Sequence, residues 1–330
     1  MADTSTEPST IQNVLVTGAT GFVGRNVVRG LLAKGLTPVC LVRHPHKLFA
    51  QHPEVAPNRI VGIAGNLRNR RALNEAAGQC QAAIHLVGII IARRLKGQTF
   101  YGVHVKGTRN VVDAVRNAGI KRYLHMSALG TRPEAVSPYH RTKWLAEEYV
   151  RRSGLDWTIF RPSLIHGPDG EFMRLMKSFV CGLMPPVIPY FGDGRAKIQP
   201  VSVKDVAECY VGALFRDETI GKVFSMGGPK AYSWVELYET CRALMPGAKK
   251  WKPLVSMPVP VAKLVAVATA PVMSVAELVV PPMGQFRFDT GQVQMSQEDS
   301  TCDHTVVEKA FDIRLRSFEE ELATYGDQIG

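Results

Sequence analysis

The stretch Thr17-Gly18-Ala19-Thr20-Gly21-Phe22-Val23-Gly24 narrows the folds open to this chain more than any other feature. Ahead of it runs NVLVT (Asn13–Thr17), a short β-branched apolar segment that reads as a buried strand. Behind it Val23, Val27, Leu31 and Leu32 recur at helical spacing until Gly35 stops the pattern. Glycines spaced G-x-x-G-x-x-G between a strand and a helix have a definite physical use. Gly18 allows a sharp turn, Gly21 lets backbone N–H groups approach a diphosphate, and Gly24 lets helix and strand pack closely. A helix starting near Phe22 turns its positive end toward that anion. The bland alternative is a tight strand-to-helix turn with no ligand. Because strand, loop and helix all sit where the motif demands and open a repeated βα pattern, dinucleotide binding is the stronger reading. It makes Thr17, Gly18, Thr20, Gly21, Phe22, Val23 and Gly24 candidate cofactor-binding residues.

The pattern then repeats. TPVCLV (Thr37–Val42), RIVGIAG, AAIHLVG (Ala82–Gly88), RYLHMS (Arg122–Ser127) and LDWTIF (Leu155–Phe160) read as five more buried strands. Helix candidates separate them, among them Tyr101–Ala118 and Tyr139–Arg152. Continuous apolar strands alternating with helices predict an α/β fold, a doubly wound parallel sheet of the Rossmann type. The expected division is a dinucleotide-binding domain over 11–165 and a smaller irregular lobe over 166–330 for substrate or partner. The amphipathic stretch within about 197–216 is expected to return and pack on the first domain. Pro258–Pro282 holds only Lys263 and Glu277 as charges. It reads as one or two packed helices broken at Pro271, or as a membrane-surface or partner-docking face.

The tip of the second strand bears on which dinucleotide binds. A site for NAD presents Asp or Glu to the ribose about 20 residues beyond the glycine loop. Here the residues are Val42-Arg43-His44-Pro45-His46-Lys47. Arg43 can hold a 2′-phosphate by charge-assisted bonds and Lys47 adds a second positive charge, so NADP(H) is favoured over NAD(H). A solvated basic turn is the alternative. Asn66, at the end of the third strand, is placed to meet the adenine or to cap a helix. Leu67, Val87 and Gly88 also fall at strand ends, where ligands of such sheets lie.

Composition limits the partners. Forty Lys and Arg against twenty-nine Asp and Glu give a net charge of +11, which favours anionic ligands or surfaces. No aromatic platform or basic helix points to nucleic acid. The six cysteines lack C-x-x-C pairs or a His-rich neighbour, so no metal site and no disulfide framework is expected. His85 and His166 likewise read as core or loop histidines. MADTSTEPST has neither an apolar signal core nor the basic character of a transit peptide, so residues 1–10 read as a disordered tail. With no run of about 20 uncharged apolar residues, a cytoplasmic protein without a transmembrane segment is expected, peripheral at a membrane in the alternative.

Taken together, TGATGFVG, YHRTK (Tyr139–Lys143), RPSLIHGP (Arg161–Pro168) and VSVKDVAE (Val201–Glu208) resemble landmarks of the short-chain dehydrogenase/reductase superfamily, in its extended and atypical, epimerase/dehydratase-like branch. VHVKGTRNV, HMSALG, GDGRAKIQPV and the late Ser317-Phe318-Glu319-Glu320 are similar to the group containing the NADPH-carrying accessory subunit of respiratory complex I and its bacterial homologues. The resemblance implies Tyr139 as acid/base and Lys143 as its helper and ribose ligand, with Pro162, Ser163 and Ile165 lining the nicotinamide. Four positions apart on a helix, Tyr139 and Lys143 share a face, and a nearby ammonium is expected to favour the phenolate. The third catalytic member, a hydroxyl at the tip of the fifth strand, falls to Ser127, because many relatives carry it where this chain has Ala128. His104 stands where many relatives keep a helix Asn, and reads as structural. Arg93, Arg94 and Lys96 border the cleft and meet an anionic substrate or solvent. Two functions follow. One is an NADP(H)-dependent oxidoreductase or epimerase-like enzyme acting on an unknown small-molecule substrate. The other is a stably NADPH-loaded structural or assembly protein of a membrane-associated respiratory or quinone-related complex.

Overall fold

The computed structural model describes residues 11–93, 97–279 and 288–329. The expected tail over 1–10, Arg94 and Lys96 lie outside them. The first half alternates as β1 (Asn13–Thr17), α1 (Phe22–Ala33), β2 (Thr37–Val42), α2 (Pro45–Ala50), β3 (Val61–Ala64), α3 (Arg70–Ala77) and β4 (Ala82–His85). There follow α4 (Gly107–Asn117), β5 (Arg122–Met126), α5 (Pro138–Arg151) and β6 (Asp156–Pro162). The helix expected over Tyr101–Ala118 is two kinds of helix: Tyr101–Lys106 is wound as a π-helix and only then does α4 begin. Such wide turns are uncommon and cluster at functional sites.

The second half contains β7 (Ile165–His166), α6 (Glu171–Cys181), β8 (Ile188–Phe191), β9 (Lys197–Ile198), β10 (Val201–Ser202), α7 (Val203–Ala213), β11 (Lys222–Met226) and β12 (Tyr232–Ser233). It ends with α8 (Trp234–Leu244), β13 (Leu254–Met257), α9 (Val259–Val279), α10 (Thr290–Met295), α11 (Thr305–Phe311) and α12 (Phe318–Tyr325). The main sheet has seven strands in the order β11-β6-β5-β4-β1-β2-β3, with every neighbouring pair parallel. The seventh strand, KVFSM, carries no run long enough to announce itself; it pairs with β6 from Lys222↔Thr158 to Met226↔Pro162.

Side-chain alternation along the strands builds two cores. Val14, Val16, Cys40, Val42 and Phe160 face α1 and α7, while Leu15, Val39, Leu41 and Ile159 face α3, α4 and α5. Burying each of these aliphatic side chains is worth about 1.5–3 kcal/mol, which fixes strand register. A third core, with Met173, Met176, Leu237, Phe318 and Leu322, holds the smaller lobe. Val206 and Tyr210 of α7 share the first core with Val27 and Leu31 of α1.

A buried polar bolt ties late chain to early sheet. The Arg122 guanidinium on β5 donates to the Ala213 carbonyl at 2.6 Å, the Asp156 carbonyl at 2.7 Å and the hydroxyls of Thr158 and Thr219 at 2.9 and 2.6 Å. Desolvation lowers its pKa to about 10, yet this leaves the group charged at neutrality.

Pro271 does not break α9, which is continuous over Val259–Val279. A proline removes one backbone donor and crowds the preceding turn, and a helix can absorb both without ending. Its small residues Ala262 and Ala266 are buried, whereas Val261, Leu264 and Val267 are exposed. No described helix is long and apolar enough to cross a membrane.

Candidate functional site

The site lies beyond the carboxyl ends of β1, β4 and β5. At Gly18 the backbone has φ +84, in the left-handed region that favours glycine, and a Cβ added there would stand 3.3 Å from the backbone of Leu86 and Val87. A Cβ on Gly24 would come within 2.0 Å of the Gly18 carbonyl oxygen, and one on Gly21 within 3.1 Å of the same atom. The loop is therefore a cradle that only glycine leaves open at these points. α1 begins at Phe22 without a side-chain cap or any acid in its first turn. Its first amides and positive pole are left available to a diphosphate.

The other loop residues divide by task. The Thr17 hydroxyl turns inward to His85 Nδ1 at 2.6 Å, and His85 Nε2 meets the Thr108 hydroxyl at 3.2 Å. Thr17 thus supports the loop from beneath, with its side chain aimed at the sheet rather than outward. The Thr20 carbonyl accepts from Gln51 Nε2, and the Phe22 ring packs beside Gly167 and Gly170, joining the loop to the turn that leads into α6. Val23 packs on the first core.

Arg43 is exposed just after β2, and Lys47 is exposed on α2. No acid occurs between Thr37 and Pro53, so this rim presents positive charge alone. The Asn66 side-chain oxygen accepts from the Arg68 amide at 2.9 Å. That bond is a local turn, the role of helix cap belonging to Asn69, which accepts from Ala72 N on α3. Leu67 lies against Gly107, whose added Cβ would approach it to 2.7 Å.

Tyr139 and Lys143 project from α5, as their spacing predicts. Lys143 is buried, and its Nζ donates to the Met126 carbonyl at 2.8 Å. A Cβ on Gly88 would come within 3.0 Å of that Nζ, so the ammonium stands at the exit of β4. Burial lowers its pKa to about 8, with Glu147 one turn below acting in the opposite sense. Glu147 is fully buried and bound by Arg161 through two bonds of 2.8 and 2.6 Å, with Arg151 adding a third.

The expected phenolate is not what the structure supports. Burial pushes the Tyr139 pKa up to about 12, desolvation disfavouring the phenolate, while the Lys143 ammonium donates to the Met126 carbonyl. Tyr139 is accordingly a phenol, equipped to donate a proton. Its ring is half-buried and packs edge-on against His104 and His140, with centroids 5.4 and 5.0 Å away.

Ser127 is buried at the end of β5 and its hydroxyl reaches Thr131 Oγ1 at 3.3 Å. Thr131, which sequence reasoning did not single out, is thus its partner among the described residues. Ala128 is buried as well. Pro162 ends β6, Ile165 packs on the first core, and the Ser163 hydroxyl is bound to Ser300 at 2.9 Å. Val87 flanks Gly18. Arg93 forms an isolated antiparallel bridge with Gln98.

His104 acts as a clasp. His104 Nδ1 lies 2.9 Å from the Thr142 hydroxyl, which also reaches the Pro138 and Tyr139 carbonyls at 2.8 and 3.0 Å. The other ring nitrogen lies 3.1 Å from both the amide and the carbonyl oxygen of Ile89, accepting from the one or donating to the other according to the tautomer. One neutral imidazole, its pKa lowered to about 2 mainly by burial, holds the exit of β4 to the first turn of α5. His85, lowered to about 3, and His166, lowered to about 4 and bonded to the Tyr325 hydroxyl, are core groups. Among the described residues no cluster of three His, Cys, Asp or Glu could hold a metal ion.

A glycine cradle at the head of a parallel sheet, with Tyr and Lys on the helix after β5, defines a nucleotide-binding α/β protein of the oxidoreductase and epimerase kind. The NAD dependent epimerase/dehydratase family model matches residues 14–227. The chain belongs to that family. Ceramide reductase of Caulobacter vibrioides is 34% identical over 238 residues, covering 72% of this chain and 71% of that protein. Subunit 9 of the mitochondrial NADH dehydrogenase (ubiquinone) 1 alpha subcomplex of Arabidopsis thaliana is 28% identical over 270 residues, 78% of this chain. The match spans 64% of the length of that subunit. MoeE5, solved with UDP-glucose and NAD, shares the fold at a TM-score of 0.70 and 20% identity, with 96% of this chain and 98% of that one covered.

Proposed function

We propose that the protein is an NADP(H)-dependent oxidoreductase, epimerase-like in its machinery, in which Tyr139 donates or accepts the proton at a carbonyl or alcohol. The observation that carries this reading is the placement of Lys143 Nζ at the Gly88 backbone, on the same helix face as Tyr139 and next to the strand end whose residues Leu86 and Val87 abut Gly18. The open cradle of Gly18, Gly21 and Gly24 fits a dinucleotide diphosphate. Bound NADPH supplies the hydride. Tyr139, a phenol at neutrality, delivers the proton to the carbonyl oxygen, and solvent restores it. Lys143 holds the ribose side of the site, and Arg43 with Lys47 takes the 2′-phosphate. Val87, Pro162 and Ile165 line the nicotinamide in this reading, and Asn66 turns its free amide toward the adenine.

The names ceramide reductase and sterol demethylase protein B, the latter from a Methylococcus capsulatus protein 35% identical over 205 residues, direct the search for a substrate toward apolar carbonyl compounds. A second reading, a stably NADPH-loaded accessory protein of a membrane-associated complex, is favoured by Ser127, whose hydroxyl is buried against Thr131. It draws support from the complex I subunits among the relatives and from Ycf39, a photosystem II assembly factor of Cyanophora paradoxa.

Titration of the purified protein with NADPH and NADH tests the cofactor. NADPH should bind at least tenfold more tightly, and Arg43→Ala should erase most of that margin, since a charge-assisted bond is worth about 1.5–3 kcal/mol. Equal affinities before mutation would refute the assignment to the 2′-phosphate. Tyr139→Phe should abolish turnover on a panel of lipid and sugar carbonyls while sparing binding. Tight NADPH retention without turnover of any panel member supports the accessory reading instead.

A further inference from the structure

The outer rim of the smaller lobe exposes large apolar side chains that no described element covers. Leu183 and Met184, in the turn after α6, are 71% and 72% exposed, and Trp251 is 61% exposed. On α9, Leu264 and Val267 are 68% and 63% exposed. These positions belong to adjoining elements. Lys249 N donates to the Val180 carbonyl at 2.9 Å, and Lys252 Nζ donates to the carbonyls of Phe179 and Gly182 at 2.6 and 3.1 Å, so the Trp251 loop lies along the end of α6. β13 pairs with β8 from Leu254↔Ile188 onward, and α9 follows β13 two residues later. The exposed part of α9 reverses the usual order, with alanines inward and large side chains outward.

The segments that carry these exposed side chains hold charge of one sign. Phe172–Gly192 and Thr240–Ala276 contain no Asp or Glu. Lys249 and Lys250 immediately precede Trp251, and Lys263 immediately precedes Leu264. Aromatic and aliphatic side chains fringed by lysine and free of acids match the boundary of an anionic bilayer, where apolar groups enter the headgroup layer and ammonium groups meet phosphates. A second copy of the chain fits poorly, because a two-fold contact would bring these lysines against one another.

We infer that this rim docks on an anionic phospholipid surface, with Leu183, Trp251, Leu264 and Val267 entering the headgroup layer and Lys249, Lys250 and Lys263 contacting lipid phosphates. The docking stands on the rim alone, and it deepens the oxidoreductase reading by directing the site toward bilayer-dissolved amphiphiles. α10 packs on α9, and a Cβ on its Gly291 would lie 3.6 Å from the hydroxyl of Ser137, the residue before α5. One short helix therefore separates the rim from the segment that carries Tyr139.

Flotation of the full chain with vesicles tests this. The protein should float with phosphatidylcholine vesicles containing one-quarter phosphatidylglycerol and far less with phosphatidylcholine alone. Partitioning should blue-shift tryptophan emission, and Trp251→Phe should remove the shift. The double variant Leu264→Glu/Val267→Glu should lower partitioning at least tenfold, and Lys249→Gln/Lys250→Gln about tenfold with a weaker dependence on salt. Unchanged thermal unfolding and unchanged NADPH affinity in solution would show that the variants are folded. Failure to float with either vesicle overturns the inference, as does undiminished flotation of the glutamate variant. Self-association that this variant abolishes, seen by light scattering, would reassign the rim to a dimer. A chain that binds NADPH and ignores vesicles defeats the docking alone; one that floats and binds no NADPH defeats the oxidoreductase reading alone.

Discussion

Gly24→Ala tests the cradle most directly. An added Cβ would meet the Gly18 carbonyl oxygen at 2.0 Å, the Gly18 carbonyl carbon at 2.7 Å and Ala19 Cα at 2.8 Å, all of them backbone. Ordinary contact requires about 3.5 Å, so the first turn of α1 must move from the loop by more than about 1 Å. Helix propensity alone would favour alanine by about 1 kcal/mol, whereas forced overpacking costs about 1–3 kcal/mol. The net expectation is a destabilised protein whose loop amides no longer converge, with NADPH affinity reduced tenfold or more. Gly212→Ala on α7 is the control, since its Cβ would meet only Phe311 Cδ1 at 3.6 Å, an ordinary contact, and Arg216 Nε at 3.9 Å. It should stabilise by about 0.5–1 kcal/mol. Urea unfolding and NADPH titration of both variants provide the comparison. Gly24→Ala with unaltered midpoint and affinity would refute the reasoning.

The remaining expectations concern buried charge and hydrogen bonding. His85, His104, His140 and His166 have folded pKa values lowered to about 3, 2, 4 and 4, chiefly by burial, so the unfolded chain binds more protons below pH 6.5. The stability they confer is complete above that pH and falls as pH drops toward 4, by up to about 1.4 kcal/mol per pH unit for each imidazole; urea midpoints unchanged between pH 7 and pH 5 would contradict it. Glu147→Ala leaves Arg161 without its carboxylate partner and should cost about 3–5 kcal/mol in urea unfolding. An effect below 1 kcal/mol would mean that solvent replaces the pair. His104→Ala removes the bonds that tie Ile89 to Thr142 and should cost about 1–3 kcal/mol. Its NADPH affinity should drop as well, because the exit of β4 loses its clasp, and intact binding would limit His104 to stability.

Much of the nucleotide half was legible because its signals are local. A strand, three glycines and a helix follow one another directly, and Tyr139 and Lys143 lie four positions apart on one face of α5. Contacts set by distant chain were not legible in the same way. Glu147 and Arg161 meet across α5 and β6, and Thr142 meets His104 across thirty-eight positions, which no periodicity records. β11 escaped notice because an edge strand of five residues with mixed burial resembles a loop until its neighbour is known. The π-helical winding of Tyr101–Lys106 keeps the apolar pattern of an α-helix nearly intact, so its different hydrogen bonding leaves little trace in residue type. The direction of the Tyr139 shift is not legible either, because spacing reveals a nearby ammonium but not the desolvation that later packing imposes.

The Arg122 bolt bears on how the chain reaches this shape in the cell. Its acceptors on Ala213 and Thr219, like the edge strand β11 and the covering helix α7, are encoded well after the first six strands. On the ribosome, the early half therefore emerges with one face of its sheet only partly covered, by α1 without α7, and with the Arg122 guanidinium lacking its acceptors on Ala213 and Thr219. Closure waits for the later segments, and chains stalled or truncated before them would be clients for chaperones and proteases.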